Sequence, residues 1–313
     1  MQVLVIGNGN HSKKRVLPAL EKIKFVENIV IADKNIKNKK KINSSLEIRN
    51  FDKELQNNDK YDLIIIATPP YNHKSSLLDA VNKSNNILVE KPISNDMNFV
   101  FGDMLKDLKK EKNIFESLMY LHHPVLQHVK ELIKKHNIKK ISSEFTVPHL
   151  PDNKYIYKKD LGGGSLFDQG IYPLSLALEL SNNSKKIDHI EINNSDKYEV
   201  DLGGNIQMNI NKNIRYFGKW GLGQDYKNYL ELKDNDGKEF QIDFIFSKPD
   251  NLNSKIQITS NETISEIEVG KFDQFQIMYE DILRSDFTKF EYSNYKNLIE
   301  RYDLIHELLK MVL

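Results

Sequence analysis

Short runs of apolar, largely β-branched residues recur through the first third of the chain and are separated by segments with helical spacing. Continuous apolar strands that alternate with helices indicate a parallel sheet covered on both faces. Right-handed crossovers make such a sheet doubly wound. Strands are predicted at residues 3–6, 29–32, 63–67, 87–89 and 114–119, and helices at residues 14–23, 75–81 and 105–112.

The pattern changes after residue 118. From residue 187 to residue 269 apolar and polar positions alternate, and the Asp236-Gly237 pair between two such runs is a strong hairpin signal. This part of the chain therefore predicts a large, mostly antiparallel sheet. A strand is also predicted at 139–147, with helices at 125–136, from the glycine-rich turn 162–164 to residue 180, at 275–283 and at 298–309.

These patterns predict an α/β chain with two domains, which 313 residues comfortably accommodate. Residues 1–118 are expected to form a Rossmann domain with a doubly wound parallel sheet. Residues 119–313 are expected to form an α+β domain with a large, open, mostly antiparallel sheet.

Charge and composition narrow the function classes. The chain has 45 Lys and Arg against 44 Asp and Glu, so nothing favours nucleic acid or an anionic membrane surface. It has no cysteine, which excludes disulfides, thiolate catalysis and Cys-ligated zinc and fits a reducing compartment. The first apolar run is too short for a signal peptide, and no window resembles a membrane helix. We therefore expect a cytoplasmic protein.

A glycine-containing loop, G-N-G-N-H-S, separates the first strand from the first helix. Gly7 permits a tight turn, Gly9 lets a pyrophosphate approach the backbone, and the helix start offers unpaired N–H groups. A two-glycine loop alone is weak evidence, because ordinary strand-to-helix turns look similar. The residues predicted to contact a dinucleotide here are Gly7, Asn8, Gly9, Asn10, His11 and Ser12, the last in place of the usual third glycine.

Asp33 ends the second strand about 20 residues after this loop, the spacing expected for a ribose-binding acid. Its carboxylate favours NAD, because it would repel the 2′-phosphate of NADP. Lys34 and Lys37 could instead pair with that phosphate, which leaves NADP open. The alternative is that Asp33 is simply a turn residue.

Two further motifs follow predicted strands at their carboxyl ends, where ligands bind in open α/β sheets. A-T-P-P-Y-N-H follows the third strand and V-E-K-P follows the next. The cofactor contacts predicted from these motifs are Thr68, Pro69, His73, Glu90 and Lys91. Later in the chain come M-Y-L-H-H-P, at 119–124, and G-G-G-S-L-F-D-Q-G-I-Y-P, at 162–173.

The order and spacing of these motifs resemble the Gfo/Idh/MocA family, named for glucose–fructose oxidoreductase and inositol dehydrogenase. The resemblance runs motif by motif from residue 2 to about residue 180 and is only architectural beyond that. It implies an NAD(P)-dependent oxidoreductase with Lys91 near the nicotinamide and the substrate hydroxyl, Tyr172 as the acid–base residue and Asp168 near the substrate. Many members carry His where this chain has Tyr172, so it looks closer to the glucose–fructose oxidoreductase, dihydrodiol dehydrogenase and sugar 3-ketoreductase branches.

The chemistry of these residue types fits the implied roles. Hydride transfer to a carbonyl leaves an alkoxide that needs a proton, and a phenol with an ordinary pKa of about 10 donates it reluctantly. An ammonium such as that of Lys91 would stabilise the phenolate and polarise the substrate oxygen. Asp168 precedes Tyr172 by one helical turn, although Pro173 predicts that Tyr172 lies at a helix start or a turn. Without the resemblance, we would interpret Lys91 as an ordinary loop lysine and Tyr172 as a tyrosine that packs in the core.

Three functions are compatible with these features. The first is hydride transfer to or from a sugar, a cyclitol or a nucleotide-linked sugar. The second is NAD-dependent glycoside hydrolysis, known in one branch of the family, and the third is a non-catalytic NAD(P)-binding sensor. A metal site is not expected, because the adjacent His122 and His123 lack further ligands at helical spacing. The resemblance also implies a homodimer or homotetramer formed through the exposed face of the large sheet.

Overall fold

The protein, seen in a computed structural model, forms two compact units. The structure describes residues 1–94, 96–181, 185–211, 213–261, 263–285 and 293–312. The first unit comprises Met1–Leu118 and Phe275–Ile299, and the second comprises Met119–Gln274 and Glu300–Leu313. Residues 275–299 therefore belong to the first unit although they follow most of the second in the chain. The division into a cofactor-binding domain up to residue 118 and a second domain after it stays a prediction.

The first unit is built on a seven-stranded sheet in the order β3-β4-β2-β1-β5-β6-β7, in which only the short β3 is antiparallel. The predicted apolar runs become its central strands because they are buried on both faces, with every residue of β5 fully covered. The strands are β1 (Gln2–Ile6), β2 (Asn28–Asp33), β3 (Lys40–Lys41), β4 (Leu46–Asn50), β5 (Leu63–Ile66), β6 (Asn86–Glu90) and β7 (Asn113–Ser117).

The register of the sheet brings several strand ends to the same level. Ile6 of β1 pairs with Ala32 of β2 and with Ile66 of β5. At the far side of the sheet, Glu90 of β6 pairs with Ser117 of β7. The residues that follow these pairs therefore leave the sheet along one edge.

Helices connect the strands of this unit. The first is continuous and consists of a π-helical turn, Ser12–Val16, followed by Leu17–Glu21, and together these form α1. The next helix, α2 (Phe51–Gln56), is capped by Asn50, whose side chain accepts a hydrogen bond from the amide of Lys53. The other helices are α3 (His73–Ala80), α4 (Met97–Phe101) and α5 (Asp103–Glu111), with 3₁₀ turns at Pro70–Asn72 and Val81–Lys83.

The second unit contains an eight-stranded sheet in the order β15-β14-β13-β12-β8-β11-β10-β9. Neighbouring strands are antiparallel except for β8 and β11, which confirms the predicted mostly antiparallel sheet. Its strands are β8 (Ile138–Val147), β9 (Lys185–Asn194), β10 (Asp201–Ile210), β11 (Ile214–Leu222), β12 (Lys227–Asp234), β13 (Glu239–Asp243), β14 (Asn253–Ser260) and β15 (Thr263–Lys271).

The predicted hairpin at Asp236-Gly237 joins β12 to β13. Gly237 has a φ of +81°, which a residue with a side chain rarely adopts. The turn is closed by Asp234, whose Oδ1 accepts hydrogen bonds from the amides of Asp236 and Lys238, both at 2.9 Å.

The remaining helices are α6 (Pro124–Lys135), α7 (Ile171–Glu179), α8 (Gln274–Arg284) and α9 (Ser293–Val312). A π-helical turn, Leu166–Gly170, leads directly into α7, and 3₁₀ turns lie at Met119–His122, Tyr155–Tyr157 and Lys159–Leu161. None of the helices among the described residues combines the length and the hydrophobicity that a membrane-spanning helix requires.

Trp220 of β11 is fully buried and fills a slot between two glycines. A Cβ added to Gly170 would lie 3.0 Å from the indole ring, and one added to Gly204 would lie 2.4 Å from it and 2.5 Å from the carbonyl oxygen of Glu191. The helix that begins at Ile171 can therefore lie close to the sheet only because these two positions have no side chain.

We expect Gly204→Ala to lower the free energy of unfolding by about 1–3 kcal/mol, because the added methyl overlaps both the indole ring and a backbone carbonyl of β9. Gly9→Ala is the matched control, since no atom lies within 4 Å of the position that its Cβ would take. Denaturant unfolding of the two variants and the parent chain measures the difference. Equal stabilities of all three proteins would contradict this account of the Trp220 slot.

Candidate functional site

The glycine loop of the first unit packs closely against the end of β5. Gly7 has a φ of +105°, and a Cβ there would lie 2.8 Å from the carbonyl oxygen of Ala67. Ser12, in the position of the usual third glycine, is fully buried and its Oγ donates a 2.8 Å hydrogen bond to the carbonyl of Gly7. No atom lies within 4 Å of the position that a Cβ on Gly9 would take, so the space beside this residue is open. The loop is therefore held by its contacts with Ala67 and Ser12, and its backbone is accessible at Gly9.

Asp33 connects the end of β2 to this loop. Its Oδ2 accepts a hydrogen bond from the amide of Asn8 at 2.9 Å, and its Oδ1 accepts one from the amide of Asn35 at 2.8 Å. A carboxylate has about four acceptor positions, so both oxygens can still accept further hydrogen bonds. Next to it, the exposed Lys34 places its ammonium 5.0 Å from the centre of the Phe51 ring. An acidic and a basic group thus lie side by side where a ribose-binding acid is predicted.

His73 joins the end of β5 to the E-K-P turn. The side chain is buried, with Nδ1 2.7 Å from the carbonyl oxygen of Pro92 and Nε2 2.8 Å from that of Thr68. Burial lowers the pKa of His73, so at neutral pH the ring carries one N–H and donates to one of the two carbonyls. The ring therefore packs between the two segments and forms a hydrogen bond to one of them at a time.

The E-K-P turn itself is held by acidic side chains at the ends of β6 and β7. Glu90 accepts hydrogen bonds at its Oε1 from Ser117 Oγ, at 2.9 Å, and from His11 Nε2, at 3.0 Å. After the turn, the amide of Ile93 donates to the buried carboxylate of Glu116 at 2.8 Å. Sequence reasoning missed Glu116, because a single acid in a short apolar strand carries no signal of a partner 23 residues away.

These residues fit a dinucleotide at the strand ends. The backbone at Gly9 is open to a close approach, and the first helix begins immediately after the loop. Thr68 Oγ1 is buried without a hydrogen-bond partner in the described part of the chain. A buried hydroxyl in that state is unfavourable unless a ligand or water satisfies it. The glycine loop, the residues after β5 and Glu90 at the end of β6 thus lie along one edge of the sheet.

In the second unit, Tyr172 is the second residue of α7, directly after the π-helical turn Leu166–Gly170. The helix start predicted from Pro173 is therefore wrong for the helical segment as a whole, which begins about one turn earlier. Its buried ring lies among Tyr120, Phe145 and Phe246, with ring centres 5.8, 5.0 and 5.6 Å away. Its hydroxyl makes a weak 4.0 Å contact with the sulfur of Met119. The phenol is therefore fixed in place by surrounding aromatic rings.

Asp201 anchors the turn that precedes α7. Its Oδ2 accepts hydrogen bonds from Ser165 Oγ at 2.5 Å and from the amide of Leu166 at 2.7 Å, and burial raises its pKa. Within the turn, the half-buried Asp168 accepts a 2.6 Å hydrogen bond from Gln169. Sequence reasoning missed Asp201 because it is separated from its partners by more than 30 residues. Asp168 and Tyr172 belong to the second unit and Lys91 to the first.

His123 acts as a structural cap. Its Nδ1 accepts a 3.1 Å hydrogen bond from the amide of Val125 at the start of α6, and its Nε2 lies 3.4 Å from Ser254 Oγ. Among the described residues, no group of three or more His, Asp or Glu side chains could hold a metal ion.

The sequence is similar to one family model and to two named reductases. Residues 1–117 match the family model GFO_IDH_MocA, described as an oxidoreductase family with an NAD-binding Rossmann fold. The chain is 24% identical over 284 residues to dTDP-3,4-didehydro-2,6-dideoxy-alpha-D-glucose 3-reductase of Actinomadura kijaniata, covering 88% of this chain and 84% of that one. The enzyme of the same name from Saccharopolyspora spinosa is 23% identical over 282 residues, with the same coverage.

Solved structures with the same fold cover nearly the whole chain. KijD10, a 3-ketoreductase from Actinomadura kijaniata in complex with NADP and TDP-benzene, has a TM-score of 0.85 at 19% identity, covering 99% of this chain and 97% of that one. Other structures of that enzyme carry substitutions of a lysine or a tyrosine. The aldose-aldose oxidoreductase from Caulobacter crescentus, complexed with glycerol, has a TM-score of 0.79 at 14% identity, covering 99% and 96%. The predicted fold class is confirmed.

We expect acid to destabilise the protein partly through His123. Burial lowers the pKa of His123 from its ordinary 6.5 to about 4, so between these pH values the unfolded chain binds a proton that the folded chain does not. The free energy of unfolding therefore falls as the pH drops through this window, by up to about 3 kcal/mol from this residue.

The variant His123→Asn keeps a side-chain acceptor for the cap but cannot titrate. Its free energy of unfolding should depend less steeply on pH between about 6.5 and about 4 than that of the parent chain. His122→Asn, at the half-buried neighbouring position, is the control. Parallel pH curves for the parent chain and His123→Asn in denaturant unfolding would show that His123 does not contribute in this way.

Proposed function

We propose that this chain is an NAD(P)-dependent oxidoreductase of the Gfo/Idh/MocA family and that it reduces a keto group on a nucleotide-linked sugar. Its relatives along most of its length are named as 3-reductases of a dTDP-linked keto sugar, and a 3-ketoreductase with this fold was solved with NADP and a TDP compound. The observation that carries the proposal is that a single chain of this fold has the E-K-P turn at the end of β6 and a buried phenol at the start of α7.

In this proposal the loop from Gly7 to Ser12 holds the pyrophosphate of the cofactor. Thr68, Pro69 and His73 contribute at the end of β5, and Glu90 and Lys91 contribute at the end of β6. When bound, the nicotinamide supplies the hydride. The residues fit that group because the backbone at Gly9 is open and the Thr68 hydroxyl has no partner among the described residues.

We propose NADP(H) as the cofactor, although Asp33 alone favours NAD. Each carboxylate oxygen of Asp33 accepts a hydrogen bond from a backbone amide, so this residue also shapes the loop and the following turn. Its neighbour Lys34 is exposed and carries the charge that a 2′-phosphate requires. The complex of the related 3-ketoreductase with NADP supports this choice.

Residues of this chain then stabilise the negative charge that develops on the substrate oxygen and protonate that oxygen. As the carbonyl carbon gains a hydride, its oxygen becomes an alkoxide, which the Tyr172 phenol protonates. The Lys91 ammonium stabilises negative charge on that oxygen and on the phenolate that remains. Asp168 binds substrate hydroxyl groups. The phenolate recovers its proton from solvent, so the reaction consumes one hydride and one proton for each keto group.

Gly9→Ala should weaken cofactor binding without affecting the fold. Its methyl group would point into space that is open in this structure, and that space is where a phosphate must approach the backbone. We expect NADPH to bind at least tenfold more weakly, roughly the loss of one or two good contacts. Titration by NADPH fluorescence measures the affinity, and thermal unfolding checks the fold. Unchanged affinity in a folded variant would exclude this loop as the pyrophosphate site.

Tyr172→Phe should lower kcat roughly 100- to 10,000-fold, because the proton donor is removed, while the affinity for NADPH stays within about twofold. Lys91→Met should lower kcat similarly. Tyr216→Phe is the matched control, because Tyr216 is a buried tyrosine whose hydroxyl bonds to the carbonyl of Pro173 and to Ser143. It should lose stability and keep its turnover.

The assay follows nicotinamide absorbance with a dTDP-linked keto sugar and, for comparison, with the same sugar lacking the nucleotide. Turnover of the nucleotide-linked sugar alone supports the proposal. Release of an alcohol with no net change in the cofactor indicates glycoside hydrolysis instead. Tight cofactor binding without turnover of any keto sugar, cyclitol or glycoside indicates a sensor.

A further inference from the structure

His11 connects the glycine loop to the E-K-P turn. It lies in the first turn of the helical segment that follows Gly9 and is the only titratable residue of the loop G-N-G-N-H-S. Its Nε2 is 3.0 Å from Glu90 Oε1, and its side chain is 40% exposed. Its ring packs edge-on against Phe275 of α8, with ring centres 5.5 Å apart. The imidazole is thus held on two sides and still accessible to a ligand at the loop.

Glu90 is placed to bind a cation. Its side chain is 12% exposed, and its Oε1 also accepts a hydrogen bond from Ser117, its register partner on β7. Burial opposes the charged carboxylate, but the charge of His11 and the hydrogen bonds from His11 and Ser117 lower the pKa of Glu90 overall. Lys91 follows Glu90 directly in the chain, so one carboxylate has two positive neighbours.

Charged groups at the end of β6, in the turn that follows it and on the first helix act on His11. Glu90 lies at the end of β6, Lys91 in the turn that follows, and Arg15 on the same helix. The contact from α8 is the uncharged Phe275. The negative charge of Glu90 raises the pKa of His11 above its ordinary 6.5, against the opposing effects of burial, Lys91 and Arg15.

We propose that His11 is a positioning residue that links cofactor binding to protonation, because in its charged form it shares Glu90 with Lys91 and adds a positive charge beside the loop that receives the pyrophosphate. When His11 loses its proton, the loop loses one positive charge. The negative charge of Glu90 is then compensated by Lys91 alone, and this attraction draws the Lys91 ammonium toward the carboxylate. Cofactor affinity therefore falls as the pH rises. The inference rests on the proposed function, since it assumes that a dinucleotide binds at this loop.

The test is the affinity for NADH and NADPH as a function of pH, from fluorescence titrations between about pH 5.5 and about pH 9, which brackets an ordinary or a raised histidine pKa. NADH is included because the 2′-phosphate of NADPH titrates itself at about pH 6. We expect the affinity of the parent chain for NADH to fall roughly three- to tenfold as the pH rises, since one partly exposed charge is lost. The midpoint should lie above 6.5.

Two variants separate charge from structure. His11→Gln keeps an N–H donor for Glu90 but cannot titrate, so its NADH affinity should not vary with pH. Glu90→Gln removes the negative charge, so the midpoint should shift down, toward or below 6.5. A purely structural role would not shift a midpoint. The control is His189→Gln, an exposed histidine on β9 of the second unit, which should reproduce the curve of the parent chain.

A second measurement needs no cofactor. In protein labelled with ¹³C at histidine Cε1, the NMR resonance that is absent from His11→Gln should titrate above pH 6.5 and should move down in Glu90→Gln. A His11 resonance with the same midpoint in both proteins, or NADH affinities of His11→Gln that follow the parent curve, would overturn the inference. A parent chain that binds neither NADH nor NADPH at any pH would overturn the proposed function itself, and the inference with it.

Discussion

A side chain at position 7 would lie 2.8 Å from the carbonyl oxygen of Ala67, so the glycine loop can approach the end of β5 only because residue 7 has no Cβ. Several other contacts of the first unit require that approach. It brings the amide of Asn8 to Asp33, and it lets the buried Ser12 close the loop onto the Gly7 carbonyl. The first helix then begins at the edge of the sheet where a phosphate can reach its N–H groups.

The polar groups at this edge form a network in which each segment is held by another. His73 packs between the end of β5 and the E-K-P turn. Glu90 accepts hydrogen bonds from His11 and Ser117, and Glu116 accepts one from the amide of Ile93. Buried acceptors and donors that lose a partner cost about 1–3 kcal/mol each. The network therefore fixes the turn that carries Lys91, because moving it would break several hydrogen bonds together.

The second unit fixes its candidate catalytic phenol by a different means. The turn before α7 is anchored by the carboxylate of Asp201, and the indole of Trp220 packs in the space left by Gly170 and Gly204. Rings of Tyr120, Phe145 and Phe246 surround Tyr172. Since aromatic side chains have few rotatable bonds and close-packed interiors resist displacement, this arrangement holds the phenol in position with little cost in conformational entropy.

Sequence reasoning identified the features whose signal is local. The strands predicted at 3–6 and 63–67 could be identified because both of their faces are buried, and the Asp236-Gly237 hairpin because a single turn specifies it. It missed β4, because the strand L-E-I-R-N is only half-buried and has no continuous apolar run. It also missed Asp201 and Glu116, whose partners are distant in the chain. Their roles depend on which loops the fold brings beside them, and no spacing in a single sequence encodes that.

His11 could be placed at the loop from the sequence, but its role could not be predicted. In the linear pattern it is one of four residues between Gly7 and Ser12, 79 positions from Glu90. Only the parallel order of β1, β5 and β6 brings the two side chains together. Once they meet, the carboxylate makes the imidazole more basic, and a loop that would otherwise contribute only backbone N–H groups gains a charge that depends on pH. A residue at this position can therefore change how tightly an anionic ligand binds without altering the fold.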